Sequence, residues 1–515
     1  MSNSMNRRRK MLVVAGVALM AAVIIPIVRH YQLRAATEAY IAELKAKGEP
    51  MELAQVIPPP VPPEQNSASN FLKATSLLDT HWNILGSNPP PVMRMVAPGK
   101  AMIGPAQIEI RDGKVTNSWQ DVASTLAQES EALNLLCQIN SGSALDFGLV
   151  YSNGVDKIQF THLAPLKRAA QALSAAAISD LHHGDTASAV KNTRAMLALA
   201  NGMSHDRLVI SELVRIAITQ MAVSANWELL QTTNVMDEQL AELQDDWMSL
   251  DFVRGDENAL AMERVTGRIT SAKWRGSSSE LEYYLDSWTR LGLSDQKESA
   301  WDKLKIKTKV VLWRYWWSYP DELRQLKSYE VFLETARSAE TNHSYQTAII
   351  NQRNELAALK LNLTNNELNV FLNPAQGDMH SLLSQDVMSM SAVFNKVMRV
   401  ETAKQATIAA IALKRYQLKH GNYPADLDSL VPEFVPKVPL DPVDGQPLRY
   451  LRKSDRTFLL YSVGENGKDD GGDPSLGKGV QSSSFYWQNP HALDWVWPQP
   501  ATPAEVQNYY EHPPK

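Results

Sequence analysis

A chain of 515 residues, of which 44% are hydrophobic and 21% are charged, is long enough for two or three domains and has the composition of ordinary folded protein. Its formal net charge of -5 is small for this length and provides no basic surface of the kind that nucleic-acid binding requires. Composition therefore argues against extensive disorder and against nucleic acid as a partner.

An apolar run occupies residues 11–28, directly after a basic segment at residues 7–10. As a helix this run would extend about 27 Å, close to the roughly 30 Å hydrocarbon core of a bilayer. Because the basic flank should stay in the cytoplasm, we predict a single-pass inner-membrane anchor with residues 1–10 cytoplasmic and the bulk of the chain periplasmic. A cleaved signal peptide is one alternative, although no A-x-A cleavage pattern follows Val28, and a buried helix of a soluble protein is another.

The next predicted unit, residues 29–65, combines a juxtamembrane helix with a proline-rich spacer. The helix covers residues 31–47, and Gly48 is its predicted stop. The sequence VIPPPVPPE at 56–64 favours a stiff polyproline spacer that holds the following domain away from the membrane. A ligand for a proline-recognising groove is the alternative interpretation.

Residues 66–382 are predicted to form an α-helical domain. One face of its clearest helix carries Leu166, Ala170, Leu173, Ala177 and Leu181. The pattern breaks at residues 182–185 and then resumes, which predicts an αα-hairpin. Residues 208–230 are apolar on more than one face and predict a buried helix. Further helical patterns cover 236–250, 258–274, 278–291, 299–317, 320–338 and 344–361. Repeat-like packing is left open, because no regular repeat of a helical-pair motif is present.

Few residues in this domain carry a recognisable chemistry, and no phosphate-binding, dinucleotide-binding, metalloprotease or serine-hydrolase motif occurs in the sequence. Cys137 is the only cysteine and lies among leucines at helical spacing, which favours a core residue over a nucleophile. His182 and His183 are predicted to cap a helix rather than to share a metal.

Two local features of this domain differ from the ordinary helical pattern: one interrupts it, and the other is unusually aromatic. Residues 106–115 alternate before a Gly-containing turn and predict a small β-hairpin. The aromatic segment WRYWW at 313–317 favours packing at a buried helix end. Contact with a protein partner or with a membrane interface is its alternative role.

The C-terminal region carries three consecutive motifs: YQLKHGNYP at 416–424, PLDPVDGQPLRY at 439–450 and YSVGENGKDDGGD at 461–473. In this order they resemble the globular head of the major pseudopilin of type II secretion, over residues 395–475. The resemblance implies an α+β head at 383–475, in which a long helix packs on a small antiparallel sheet. The processing motif of pseudopilins is absent from residues 9–13. The aromatic and proline-rich tail, 476–515, should pack back onto the protein, and binding of a partner is its alternative role.

Acidic side chains and glycines are concentrated between residues 464 and 473. Oxygen ligands on a backbone with unusual torsions suit calcium, which binds about six to eight oxygens. The resemblance implies calcium in this loop, with Asp469, Asp470 and Asp473 as ligands and with Ser462 and backbone carbonyls as helpers. The order of residues is not that of an EF-hand, and a solvated Gly/Asp turn is the alternative.

The sequence thus predicts a mainly α protein with an N-terminal transmembrane helix, an α-helical hairpin domain and a C-terminal α+β pilin-like head. The favoured function is a non-enzymatic envelope scaffold, or a component associated with type II secretion or a pilus, that binds protein partners. No catalytic residue is assigned. A membrane-tethered hydrolase of envelope polymers is the alternative, with Glu212, Asp256, Glu257 and Glu263 as available carboxylates. A ligand sensor is a third possibility.

Overall fold

The computed structural model describes residues 2–78, 90, 92–112, 115–153, 157–292, 300–359, 382–383, 387, 390–453, 457–479 and 486–512. The protein is mainly helical, as predicted. The α-helices are α1 Ser2–Ala46, α2 Leu53–Val56, α3 Ala68–Leu77, α4 Trp119–Gln128, α5 Ser130–Leu136, α6 Leu163–His182, α7 Thr186–Gly202, α8 Val209–Leu230, α9 Asp237–Met248, α10 Phe252–Gly276, α11 Ser278–Gly292, α12 Ala300–Leu312, α13 Ser318–Asn342, α14 Tyr345–Ala358, α15 Met390–His420 and α16 Pro503–Glu511.

The strands in the described part of the chain are short and form three small sheets. They are β1 Met95–Ala97, β2 Lys100–Ala101, β3 Ile110–Asp112, β4 Val115–Asn117, β5 Arg449–Arg452, β6 Phe458–Ser462, β7 Trp495–Val496 and β8 Gln499–Pro500. The sheet orders are β1-β2-β8, β3-β4 and β5-β6-β7. The antiparallel pair β3-β4 confirms the predicted hairpin, whose turn lies outside the described residues.

Helix α1 passes without interruption through both the predicted anchor and the juxtamembrane helix. It ends shortly before Gly48, which has a φ of 86° and confirms the predicted stop. Most side chains of the predicted anchor, residues 11–28, lie outside the described part of the structure. Among the helices whose side chains are described, none is long and apolar enough to cross a membrane. The anchor therefore stays a prediction.

The C-terminal half of α1 packs along α13. Leu44 and Met51 are buried against Leu326, and the Thr37 hydroxyl donates to the Tyr319 carbonyl at 3.2 Å. The proline-rich segment then lies on the helical domain, where Val56 joins a cluster of buried apolar side chains. Pro58 is buried as well, whereas Pro59, Pro60, Pro62 and Pro63 are exposed. Whether the segment also holds the domain away from a membrane stays a prediction.

Helices α6 and α7 form the predicted αα-hairpin, and α8 packs against both. The break falls at Gly184, whose φ of 81° ends α6, and at Asp185, whose carboxylate accepts from the Ser188 amide at 3.0 Å to cap α7. Residues along all faces of α8 are buried, including Ile218 and Trp227, which confirms the prediction of a helix enclosed by neighbours.

Helix α15 belongs at once to the helical domain and to the head. It packs against α8 and α9 on one side and against β6 on the other, so residues from Val393 to Leu413 are almost all buried. It ends before Gly421, whose φ of 80° is typical of a residue that terminates a helix. Strands β5 and β6 follow and pair antiparallel, as the resemblance implies. One continuous apolar core runs through both parts, from Phe71 to Leu460.

The tail completes the head's sheet and ties it to the helical domain. Strand β7 pairs antiparallel with β6, and β8 pairs parallel with β2. Trp487, Trp495 and Trp497 are buried, which confirms that the aromatic tail packs back onto the protein. The Trp227 indole of α8 donates to the Pro498 carbonyl at 2.9 Å, so the tail is anchored by polar as well as apolar contacts.

Candidate functional site

The acidic loop, residues 464–473, follows β6 and contains all three predicted calcium ligands. Four of its glycines have positive φ values. At Gly472 the φ is 78°, and a Cβ there would lie 2.7 Å from Leu459 Cδ2. The positive φ favours glycine, because a larger residue would strain the backbone and displace the partly buried side chain of Leu459. The loop therefore has one specific conformation, packed against the sheet.

Each predicted ligand makes local hydrogen bonds. Asp469 accepts from the Gly471 amide at 3.0 Å and from the Tyr461 hydroxyl at 2.9 Å, and these bonds hold its pKa below the ordinary value. Asp470 accepts from the Asn466 side-chain amide at 2.8 Å. Asp473 accepts from the Ser475 amide at 2.9 Å. The three carboxylates thus have different partners, as side chains in a solvated turn do.

A fourth carboxylate, from the tail, organises the loop. Asp494 is fully buried and accepts from the amides of Gly472 at 2.8 Å, Asp473 at 3.2 Å and Asp470 at 3.4 Å. Burial raises the pKa of Asp494, although the three amides oppose that effect. The loop backbone is therefore folded around a protein anion, which satisfies amides that would otherwise be unpaired.

Arg449 on β5 lies between Asp469 and two further carboxylates. It pairs with Asp444 at 2.5 Å, approaches Asp441 at 3.3 Å and lies 3.6 Å from Asp469. Asp441 is buried and accepts from the Ser462 hydroxyl at 2.8 Å, so Ser462 donates to a carboxylate here. Burial raises the pKa of Asp441 to about 6. A guanidinium thus supplies the positive charge at the base of the acidic loop.

Three acidic side chains that could hold one ion are brought together elsewhere. Within the described residues, the one such group is Glu49, Glu330 and Glu334, whereas Asp469, Asp470 and Asp473 do not converge in this way. Because backbone carbonyls and water can also bind calcium, the assignment of calcium to the acidic loop stays a prediction.

The Glu49 group is already neutralised by arginines. Arg264 is buried and pairs with Glu49 at 2.6 Å and with Glu330 at 2.8 Å, and Arg337 pairs with Glu49 at 2.7 Å. Burial alone would raise the pKa of Glu49, but hydrogen bonds from Arg337 and Arg264 outweigh it and lower that pKa. We interpret the group as an ion-pair network that fastens the end of α1 to α10 and α13.

The carboxylates considered for a hydrolase lie mostly inside the helical domain. Glu212 pairs with Arg215 at 3.0 Å, and Glu257 pairs with Arg337 at 2.7 Å, so both are explained as ion pairs. Burial raises the pKa of Glu263 to about 7. Asp256 is 1% exposed, and neither of its oxygens has a hydrogen-bond partner. Burial and the nearby Glu212 raise the pKa of Asp256 to about 8.

A cavity of about 350 Å³ lies between the helical domain and the head. None of the four carboxylates lines it; its polar lining includes Tyr345, Glu401 and Lys404. Glu401 accepts from the Phe252 amide at 3.0 Å and pairs with Lys404 at 2.7 Å, so it caps α10. The Tyr345 hydroxyl is buried without a hydrogen-bond partner. The remaining walls are mainly apolar, which suits a small ligand better than a charged polymer.

Two other candidates from the sequence have structural roles. The Cys137 thiol is mostly buried, which raises its pKa to about 11 and disfavours the reactive thiolate. His183 Nδ1 donates to the Ser179 carbonyl at 2.7 Å in the last turn of α6, which confirms helix capping. His182 Nδ1 instead donates to the Pro105 carbonyl at 2.7 Å, and its ring stacks on Trp119.

The aromatic segment forms a single π-helical turn, Trp313–Trp317, between α12 and α13. Trp313 is buried, and its indole donates to Asp321 at 2.9 Å. Tyr315 and Trp316 are exposed. The predicted packing is therefore confirmed for Trp313, while the outward-facing rings remain available for another contact.

No protein-family model, no curated protein and no solved structure matches this chain. The resemblance of residues 395–475 to a pseudopilin head therefore depends on the residues and on the order of the elements that they form. Sequence reasoning missed the roles of Asp441, Arg449 and Asp494. The DPVDG turn was a usable signal for Asp441, but nothing local marks Asp494, which follows the region of resemblance.

Proposed function

We propose that this protein is a membrane-anchored scaffold of the bacterial envelope that associates with a type II secretion or pilus-like machine through its head. The observation that supports this most is the arrangement of the head. Helix α15 packs on β6, ends at Gly421, and is followed by a 3-10 turn, Asp428–Leu430, and by the antiparallel pair β5-β6. That order is the one expected of a pseudopilin-like head.

Exposed apolar side chains on α1 support the proposed single-pass anchor in the inner membrane, with the bulk of the chain periplasmic. The described members of the apolar run are about half exposed or more; they are Val14, Met20, Ile24, Ile25, Ile27 and Val28. Large apolar side chains exposed together on one helix are unfavourable in water and favourable in lipid. The basic residues before the run support the proposed orientation.

The head offers an open edge for a protein partner. Strand β5 lies at the edge of its sheet, and Leu451 on this strand is 58% exposed. Free backbone groups on an edge strand can pair with a strand from another chain. Because the head shares its core with the helical domain, a partner bound at β5 would be held rigidly relative to the membrane.

Site-specific crosslinking in the native membrane tests this proposal. A photoreactive amino acid would replace Leu451 in the tagged full-length protein, and Ile350, an exposed residue of α14, would be the matched control. We expect secretion or pilus subunits among the crosslinked proteins from position 451 but not from position 350. Equal capture of unrelated proteins from both positions would contradict a role for the head.

The cavity beside Tyr345 supports a second candidate, an enzyme or sensor that acts on an envelope component. Its volume suits a small ligand or one unit of a polymer, and the unpaired Tyr345 hydroxyl could donate to it. Incubation of the protein with purified cell-wall polymer tests whether the protein is an enzyme that cleaves it. Release of fragments by the parent protein but not by Glu401→Gln would favour an enzyme over the scaffold.

A further inference from the structure

Helix α12 and the π-helical turn carry an exposed apolar stripe. Trp301, Leu304, Val311 and Tyr315 are 64%, 53%, 54% and 61% exposed. Their spacing of three, seven and four residues places them on one side of the helix, with exposed Thr308 between them. Exposed apolar residues are common singly, but a stripe along one helix face marks a contact surface.

The opposite side of the same helix is already packed. Val310 and Trp313 are buried against Trp274 and Leu285, with Ile306 partly buried beside them. The exposed stripe therefore lies on a different face of α12 from the one that packs against the rest of the protein. A helix that is apolar on two opposite sides needs a second apolar environment, and the described residues of this chain do not provide one.

Basic side chains border the stripe on both sides. At about 100° per residue, Lys305 lies beside one edge of the stripe and Lys307 beside the other. Lys303 and Lys309 lie farther round toward the packed face. Lysines in these positions can extend their ammonium groups to lipid phosphates while their alkyl stems cover apolar surface.

The stripe lies at the point where the proposed anchor ends. His30 Nδ1 is 2.9 Å from the Tyr315 carbonyl, and the His30 ring contacts the Tyr319 ring at 5.1 Å. His30 is two residues, or about 3 Å along the helix, beyond the apolar run that ends at Val28. The aromatic turn is thus held at the depth of the lipid headgroups if α1 spans the bilayer.

We propose that α12 and the π-helical turn lie in the headgroup layer of the membrane that holds α1 and bind anionic phospholipid there. The apolar stripe enters the acyl boundary, Tyr315 and Trp316 occupy the interface that such rings prefer, and the lysines contact lipid phosphates. A protein partner is the less favoured occupant, because the link to His30 and the flanking lysines both match a lipid surface. This inference rests on the proposed anchor.

Fluorescence quenching in lipid nanodiscs tests the inference on the full-length chain. Cys137→Ser removes the single cysteine and retains a donor to Asn192. Leu304→Cys then carries an environment-sensitive fluorophore, and Leu451→Cys is the control because Leu451 is similarly exposed but lies on the head. The discs contain phosphatidylcholine with or without phosphatidylglycerol, and a nitroxide is placed near the headgroup end of some acyl chains.

We expect severalfold stronger quenching at position 304 than at position 451, and more of it when phosphatidylglycerol is present. The double substitution Lys305→Glu and Lys307→Glu should weaken this quenching while the chain stays in the disc. If the fluorophore at position 304 is quenched no more than that at position 451 in chains that co-elute with discs, the proposed contact between α12 and the membrane is wrong, although the proposed anchor is supported. If the chain does not co-elute with discs, the anchor is wrong, and the inference falls with it.

Discussion

The buried carboxyl of Asp256 should make the stability of the helical domain depend on pH. Its carboxyl has no hydrogen-bond partner, and its pKa rises from 3.8 to about 8, because of burial and then of nearby Glu212. Between these two pH values the folded chain keeps a proton that the unfolded chain releases. Stability from this group is therefore fully present below pH 3.8 and is lost as the pH rises toward 8.

The size of the effect follows from that shift. Each pH unit between the two pKa values lowers the free energy of unfolding by about 1.4 kcal/mol. Asp256→Asn is similar in shape and cannot ionise, so it does not show this loss. From pH 5 to pH 7, the stability of the variant relative to the parent should therefore increase by roughly 2.7 kcal/mol.

Equilibrium urea unfolding of the parent and of Asp256→Asn at pH 5, 6 and 7, followed by tryptophan fluorescence, measures this difference. Glu131→Gln is the control, because it removes a carboxylate that is exposed to water. A stability difference that stays constant across the three pH values would refute the reasoning. It would mean that the Asp256 carboxyl is solvated in the folded protein.

Three further predictions concern packing, charge and metal binding. Gly202→Ala should lower stability by about 1–3 kcal/mol, because its Cβ would lie 2.8 Å from Leu145 Cγ. Gly276→Ala is the control, because no atom lies within 4 Å of its Cβ, and it should raise the free energy of unfolding by about 0.5–1 kcal/mol. Equal losses of stability in the two variants, measured by thermal unfolding, would contradict the close packing at Gly202. Arg264→Met should lower the free energy of unfolding by about 3–5 kcal/mol, because it removes the buried cation that pairs with Glu49 and Glu330. An unchanged melting temperature would count against the proposed ion-pair network. Titration calorimetry with calcium should give binding heat for the full-length chain and little for Asp473→Asn; no heat from the parent chain would exclude the calcium assignment.

Local structure was largely predictable from the sequence. The break at Gly184, the stop at Gly48 and the end of α15 at Gly421 each depend on residues close together in the chain, so their patterns contain the necessary information. The strands β5 and β6 were predictable for the same reason. By contrast, the burial of Val56 depends on a distant helix surface, and the proline-rich pattern around it gave no sign of that contact.

The candidate site was predictable only in its local part. The glycines and acidic residues of the loop indicate a turn with special torsions, and the structure has one. The choice of partners was not predictable, because Asp494 reaches the loop from the tail and Arg449 reaches Asp469 across the sheet. The pairing of Arg264 with Glu49 likewise joins residues far apart in sequence, which neither periodicity nor local spacing can reveal.

The pairing of β8 with β2 has a consequence for how the protein matures. Residues 499–500 complete a sheet begun by residues 95–101, and Pro498 satisfies the indole of Trp227 in the middle of the helical domain. Contacts between such distant segments form late and slowly. If the chain crosses a membrane during synthesis, its helical domain cannot complete folding until the tail has been translocated to the same side. Until then the domain is accessible to chaperones and proteases.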